Sequence, residues 1–201
     1  MLMERTFHAS RTDIIVVTLV ALGALAIPVI VLLNYLNMSY STINAGSRAG
    51  WQSCATVTIA LPQDSPIEIR DGFNAATAAW NTAGSPVHLT VTDVSSQGTV
   101  PYGTIPVVIT DENQISDTEL AATYITSNKS TARVETGYIV INPKVIGNPA
   151  AVKVIEHELG HVLGLPHTGS GLMRPIVDRD AAITPQDISV ARTYTPACTK
   201  K

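Results

Sequence analysis

His157-Glu158-Leu159-Gly160-His161-Val162-Leu163-Gly164-Leu165-Pro166-His167 is the stretch on which the reading of this chain turns. His157 and His161 are four apart, so on a helix both imidazoles leave the same side and can reach one metal ion. The helix carries its own signals. Asn148-Pro149 supplies an N-cap and a proline at the first helical position, Ala150 to Leu163 continues, and Gly164 stops it. Gly164 can take a positive φ and turn the chain back, which would bring His167 to the same ion and leave one tetrahedral position open. Zinc is the natural occupant of such a site, and Glu158, beside His157, can reach a water on the ion rather than the ion itself. A chain with 5 His and 13 Gly among 201 residues produces the extended HExxHxxGxxH pattern by chance on the order of once in 100,000. A helix with incidental histidines is therefore the weaker reading.

The rest of the composition narrows the class. A chain of 201 residues with 45% hydrophobic and 14% charged side chains suits one domain of ordinary size with residues to spare, and excludes disorder for most of its length. The net charge of -3 and scattered Lys and Arg provide no basic stripe, so nucleic acid is not an expected partner. Two cysteines are too few for a Cys-based zinc finger or a disulfide-rich miniprotein. The mean hydropathy of +0.21 is high, and the excess is local. Ile14 to Leu33 reads IIVVTLVALGALAIPVIVLL, without a charge and long enough for one transmembrane helix, in which Pro28 is tolerable.

Arg5 and Arg11 precede this run, and the first basic residue after it is Arg48, which places residues 1–13 in the cytoplasm. The expected organisation is a signal anchor over 14–33, a linker over 34–50 and a domain over 51–201 outside the cytoplasm. A cleaved signal peptide, giving a secreted protein, is the alternative; the best cleavage candidate, Ile43-Asn44-Ala45, has a large residue where a small one is wanted.

Within the domain, Ile69, Phe73, Ala76, Thr77 and Trp80 recur at three and four, marking an amphipathic helix over 66–82 with Phe73 and Trp80 as core anchors. His88 to Val94, Ile105 to Thr110 and Tyr138 to Ile141 read as strands, and Leu120 to Thr126 as a strand or a loop. His88 reads as an ordinary strand histidine. A last helix opens at Thr184-Pro185 and runs to about Thr193. Helix, strands, helix and helix make an α+β domain with a small mixed sheet.

HELGHVLGLPH followed by Ser170-Gly171-Leu172-Met173-Arg174-Pro175 resembles the metzincin zinc peptidases, and within them the matrixins. Thr168 after the third His, the Leu-Met-x-Pro turn, the strand GYIVIN and Thr184-Pro185-Gln186-Asp187-Ile188 carry the closer likeness, over about residues 55 to 195. The resemblance implies a zinc endopeptidase in which His157, His161 and His167 hold the metal, Glu158 is the general base and Met173 supports the site from below. The interval from His167 to Met173 is short, and the sequence shows neither a Pro-Arg-Cys-Gly segment nor a second histidine cluster, which points to a minimal version.

The substrate would be a protein or peptide and the domain a monomer. A non-catalytic zinc-binding ectodomain remains as a second class, although it assigns Glu158 no role. An intramembrane protease is disfavoured because Lys153, Glu156 and Glu158 interrupt the helix. Cys54 and Cys198 flank the domain, and an even cysteine count in an oxidising compartment points to a disulfide between them. The competing reading makes Cys54 a thiolate that blocks the zinc.

Overall fold

The structure, a computed structural model, describes residues 49–94, 101–110, 115, 119–128 and 130–196. The expected membrane span over 14–33, the tether up to residue 48 and Cys198 lie outside the described residues. Among the described residues no helix is long and apolar enough to cross a membrane.

The elements in chain order are β1 (Thr56–Pro62), α1 (Ile67–Ala83), β2 (His88–Val94), β3 (Thr104–Ile109), β4 (Ala121–Asn128), β5 (Arg133–Ile141), a 3-10 turn (Pro143–Val145), α2 (Ala151–Val162) and α3 (Pro185–Tyr194). They form the expected α+β domain with a mixed sheet. Its strand order is β2-β1-β3-β5-β4. β1 runs parallel to β2 and β3, and β3 parallel to β5, whereas β4 is antiparallel to β5 and lies at the edge.

The structure sharpens the sequence reading at several points. The chain enters the domain through β1, which precedes the first helix; Val57, Ile59 and Leu61 are buried in alternation with Thr56 and Thr58, and Ala60 is buried as well. The stretch left open between strand and loop is strand β4, held by β5, which itself reaches back to Arg133. The helix that carries His157 and His161 starts at Ala151 with Ala150 as its N-cap, instead of being capped by Asn148. Asn148 closes a turn just ahead of it: its side-chain oxygen accepts from the Ala150 N–H at 2.8 Å and its carbonyl from the Ala151 N–H at 3.0 Å.

The expected face of α1 is buried as its spacing requires, with Phe73 and Trp80 fully enclosed. Truncating a core aromatic of this kind costs about 3–5 kcal/mol. Thr184 caps α3 in a reciprocal box with Asp187: the Thr184 hydroxyl accepts from the Asp187 N–H, and the Asp187 carboxylate accepts from the Thr184 N–H at 2.8 Å.

Ala49 and Gly50, which composition assigns to the end of the linker, are buried in the domain. The Gly50 N–H donates to Ala132 O at 3.1 Å and its carbonyl accepts from Val134 N at 2.9 Å, alongside β5. Trp51 then donates its backbone N–H to Thr195 Oγ1 at 2.7 Å and its indole N–H to Val162 O at 2.8 Å.

Candidate metal centre

From Val154 to Val162 every residue of α2 is buried except His161, which is partly open. The fold brings together the three histidines that the spacing selects. His157 Nε2 lies 3.0 Å from His161 Nε2, and His167 Nε2 lies 3.2 Å from each. Zinc–nitrogen bonds of about 2.0–2.1 Å in tetrahedral geometry put ligand atoms about 3.3 Å apart, close to this triangle.

The proton positions follow from the partners. His157 Nδ1 is 2.8 Å from Leu172 O, and His161 Nδ1 is 2.7 Å from Leu165 O. A carbonyl can only accept, so both Nδ1 atoms carry the proton and both Nε2 atoms of the neutral rings present lone pairs. Two lone pairs facing each other at 3.0 Å repel unless a cation lies between them. Burial favours the neutral state, pushing the His157, His161 and His167 pKa values down, that of His161 to about 3 with further help from His157. Neutral imidazoles are the form that binds a metal.

The turn after α2 makes this possible. Gly164 has φ +88°, and its N–H donates to His161 O at 2.9 Å while Leu165 N donates to Gly160 O at 3.0 Å. That reversal aims Leu165 O back at the ring of His161 and sends the chain on to His167. The following loop returns under the helix, where Leu172 O holds His157 and Thr168 N donates to Met173 O at 2.7 Å. Met173 is fully buried against Gly160, where a Cβ would collide with its sulfur. Met173 thus lies against α2 at Gly160, whose lack of a side chain provides the room for it.

Glu158, next to His157 on α2, is buried, and Thr123 Oγ1 donates to its Oε2 at 2.6 Å. Burial raises its pKa to about 7; the Thr123 hydrogen bond opposes the rise and nearby Glu119 adds to it. Thr123 was not singled out by the sequence, since a lone threonine on a strand has no spacing signature. His88 is exposed on β2 and takes no part. Cys54 does not join the histidine cluster, which argues against the thiolate-blocking reading.

Among the described residues His157, His161 and His167 form the group able to hold a metal ion. Three neutral nitrogen donors without a fourth protein ligand fit zinc in an open site. This is a three-histidine site whose donor set suits zinc.

No protein-family model matches the sequence, and no curated protein matches it. Solved structures similar to it include metalloproteinase-II from Bacteroides fragilis, with a TM-score of 0.49 and 11% identity over 77% of this chain and 59% of that one. They also include high choriolytic enzyme 1, a hatching enzyme zinc-protease from the medaka fish Oryzias latipes, with a TM-score of 0.44 and 12% identity over 73% of this chain and 94% of that one. The chain spans 59% of the length of the Bacteroides protein.

The purified protein is expected to bind one zinc per chain by elemental mass spectrometry, and His161→Ala to lose the ion. Full zinc occupancy in that variant would remove His161 from the ligand set.

Proposed function

We propose that this chain is a membrane-anchored zinc endopeptidase of matrixin type whose catalytic domain lies outside the cytoplasm. The observation that carries the reading is the convergence of the Nε2 atoms of His157, His161 and His167, with Glu158 buried on the helix that carries the first two. Zinc in that position supplies Lewis-acid polarisation of a peptide carbonyl and makes water more acidic. The remaining work belongs to the chain. His157 and His161 enter the site with tautomers already set by Leu172 and Leu165, so neither ring reorients when the site is filled. Glu158 takes a proton from the attacking water and delivers it to the leaving amine. Its pKa near 7 suits a group that must do both near neutral pH. Met173 supports the floor of the site through Gly160.

Glu158→Gln is expected to keep one zinc per chain and to lower kcat for peptide hydrolysis by about 100-fold or more, the range that general acid–base catalysis contributes. Wild-type turnover in this variant would sink the mechanism.

The anchor reading rests on the uncharged run Ile14 to Leu33 and the basic residues before it. Full-length protein should stay with membranes through a carbonate wash, and protease added to intact cells should digest the domain. A soluble mature form beginning near Gly46 would replace the anchor with a cleaved signal. We propose further that Cys54 pairs with Cys198. The Trp51–Thr195 hydrogen bond supports this, because it joins positions three residues before each cysteine. Such a bridge stabilises by up to about 5 kcal/mol in the chain-entropy model. Non-reducing mass spectrometry of the exported protein should find no free thiol, and two free thiols would refute the pairing.

A further inference from the structure

The hydroxyl of Thr123 stands between two oxygens of one residue. Its Oγ1 is 2.6 Å from Glu158 Oε2 and 3.1 Å from the Glu158 backbone carbonyl. Thr123 belongs to β4, where it pairs with Ile139 of β5, so its backbone is held by the sheet and not by the helix it touches. β-branching restricts χ1 and keeps the hydroxyl in place. Glutamate, by contrast, has a long side chain with several rotatable bonds, and a proton carrier misplaced by about 1 Å can lose 100-fold in rate.

The geometry points to Thr123 as a positioning residue for Glu158: its hydroxyl pins Oε2 and leaves Oε1 as the oxygen that accepts and returns the proton. This rests on the peptidase reading above. In the reaction an O–H bond of water breaks as its oxygen forms the new C–O bond, and Oε1 receives the proton. Oε1 then gives that proton to the amine nitrogen as the C–N bond breaks, so the enzyme ends each turnover with the protons it began with. Thr123 keeps its own proton throughout. When Glu158 is ionised the hydroxyl donates to Oε2 in a short charge-assisted bond. With Glu158 protonated, the same hydroxyl has a second acceptor in the Glu158 carbonyl, so it stays hydrogen-bonded in both states and need not leave its place.

The test compares Thr123→Val, which keeps the shape and removes the donor, with Thr123→Ser, which keeps the donor, in the zinc-loaded full-length chain. Two quantities are read: kcat and KM for peptide hydrolysis, and the ¹³C resonance of the Glu158 carboxyl carbon, assigned by its disappearance in Glu158→Gln. Thr123→Val is expected to retain zinc and a KM within about twofold, to lose about 10- to 100-fold in kcat, the worth of one hydrogen bond to a charged group, and to shift the carboxyl resonance. Thr123→Ser should restore kcat to within about threefold and return the resonance towards its wild-type position. An unmoved resonance in Thr123→Val overturns the proposal, as does a moved resonance with unchanged kcat, or a serine variant as impaired as the valine one. A zinc-loaded wild-type chain that hydrolyses no peptide defeats the peptidase reading itself, a result separate from an active wild type matched by Thr123→Val.

Discussion

A helix enclosed on almost every side must still hold three polar side chains in place, and the domain is built around that conflict. Burying α2 strands backbone oxygens that water would otherwise satisfy, and an unpaired buried carbonyl is costly. Trp51 answers this at the helix end by donating its indole N–H to Val162 O, while Trp80 of α1 donates its own at 2.8 Å to Glu156 O, an interior carbonyl that takes it beside its helical partner. Val162 lies in the last turn, where carbonyls have no partner within the helix. Each tryptophan thus combines a large buried surface with a polar tip that finds its acceptor on the helix.

The same economy governs the site. Both carbonyls that set the histidine tautomers come from the chain just beyond the helix, Leu165 from the reversal at Gly164 and Leu172 from the loop that carries Met173. One excursion of chain therefore orients His157 and His161, delivers His167 and fills the space under Gly160. On the other side, the edge strand β4 reaches Glu158 through Thr123. The carboxylate and the imidazoles sit on one helix but are held by different elements, so their positions can be altered separately.

What could be read from the sequence is what spacing encodes. The triad was legible because residues four apart on a helix must share a side and because a glycine at 164 permits the return to His167. The face of α1 was legible for the same reason, and Thr184-Pro185 with Asp187 marked the start of α3. The inner strand β1 was not delimited, although Val57, Ile59 and Leu61 alternate with Thr56 and Thr58, because so short a run next to Ala55 and Ala60 is a weak signal alone. Gly50 looked like tether because its ties to Ala132 and Val134 run through backbone atoms that no side chain reveals. Thr123 escaped notice because its partner lies 35 residues away, and only the pairing of β4 with β5 brings it there.

The bond between Trp51 N and Thr195 Oγ1 spans 144 residues, and this has a consequence for a chain made from one end to the other. The metal ligands and Met173 all precede residue 195, so a ribosome that has released the whole site has not yet released the residue that holds Trp51. Until Thr195 emerges, Trp51 lacks its partner at the end of α3. A nascent chain stalled between Met173 and Thr195 would thus contain every residue assigned to the chemistry and still be missing the closure between the two ends of the domain. Completion of the fold is tied to the emergence of Thr195 and not to the appearance of the ligands.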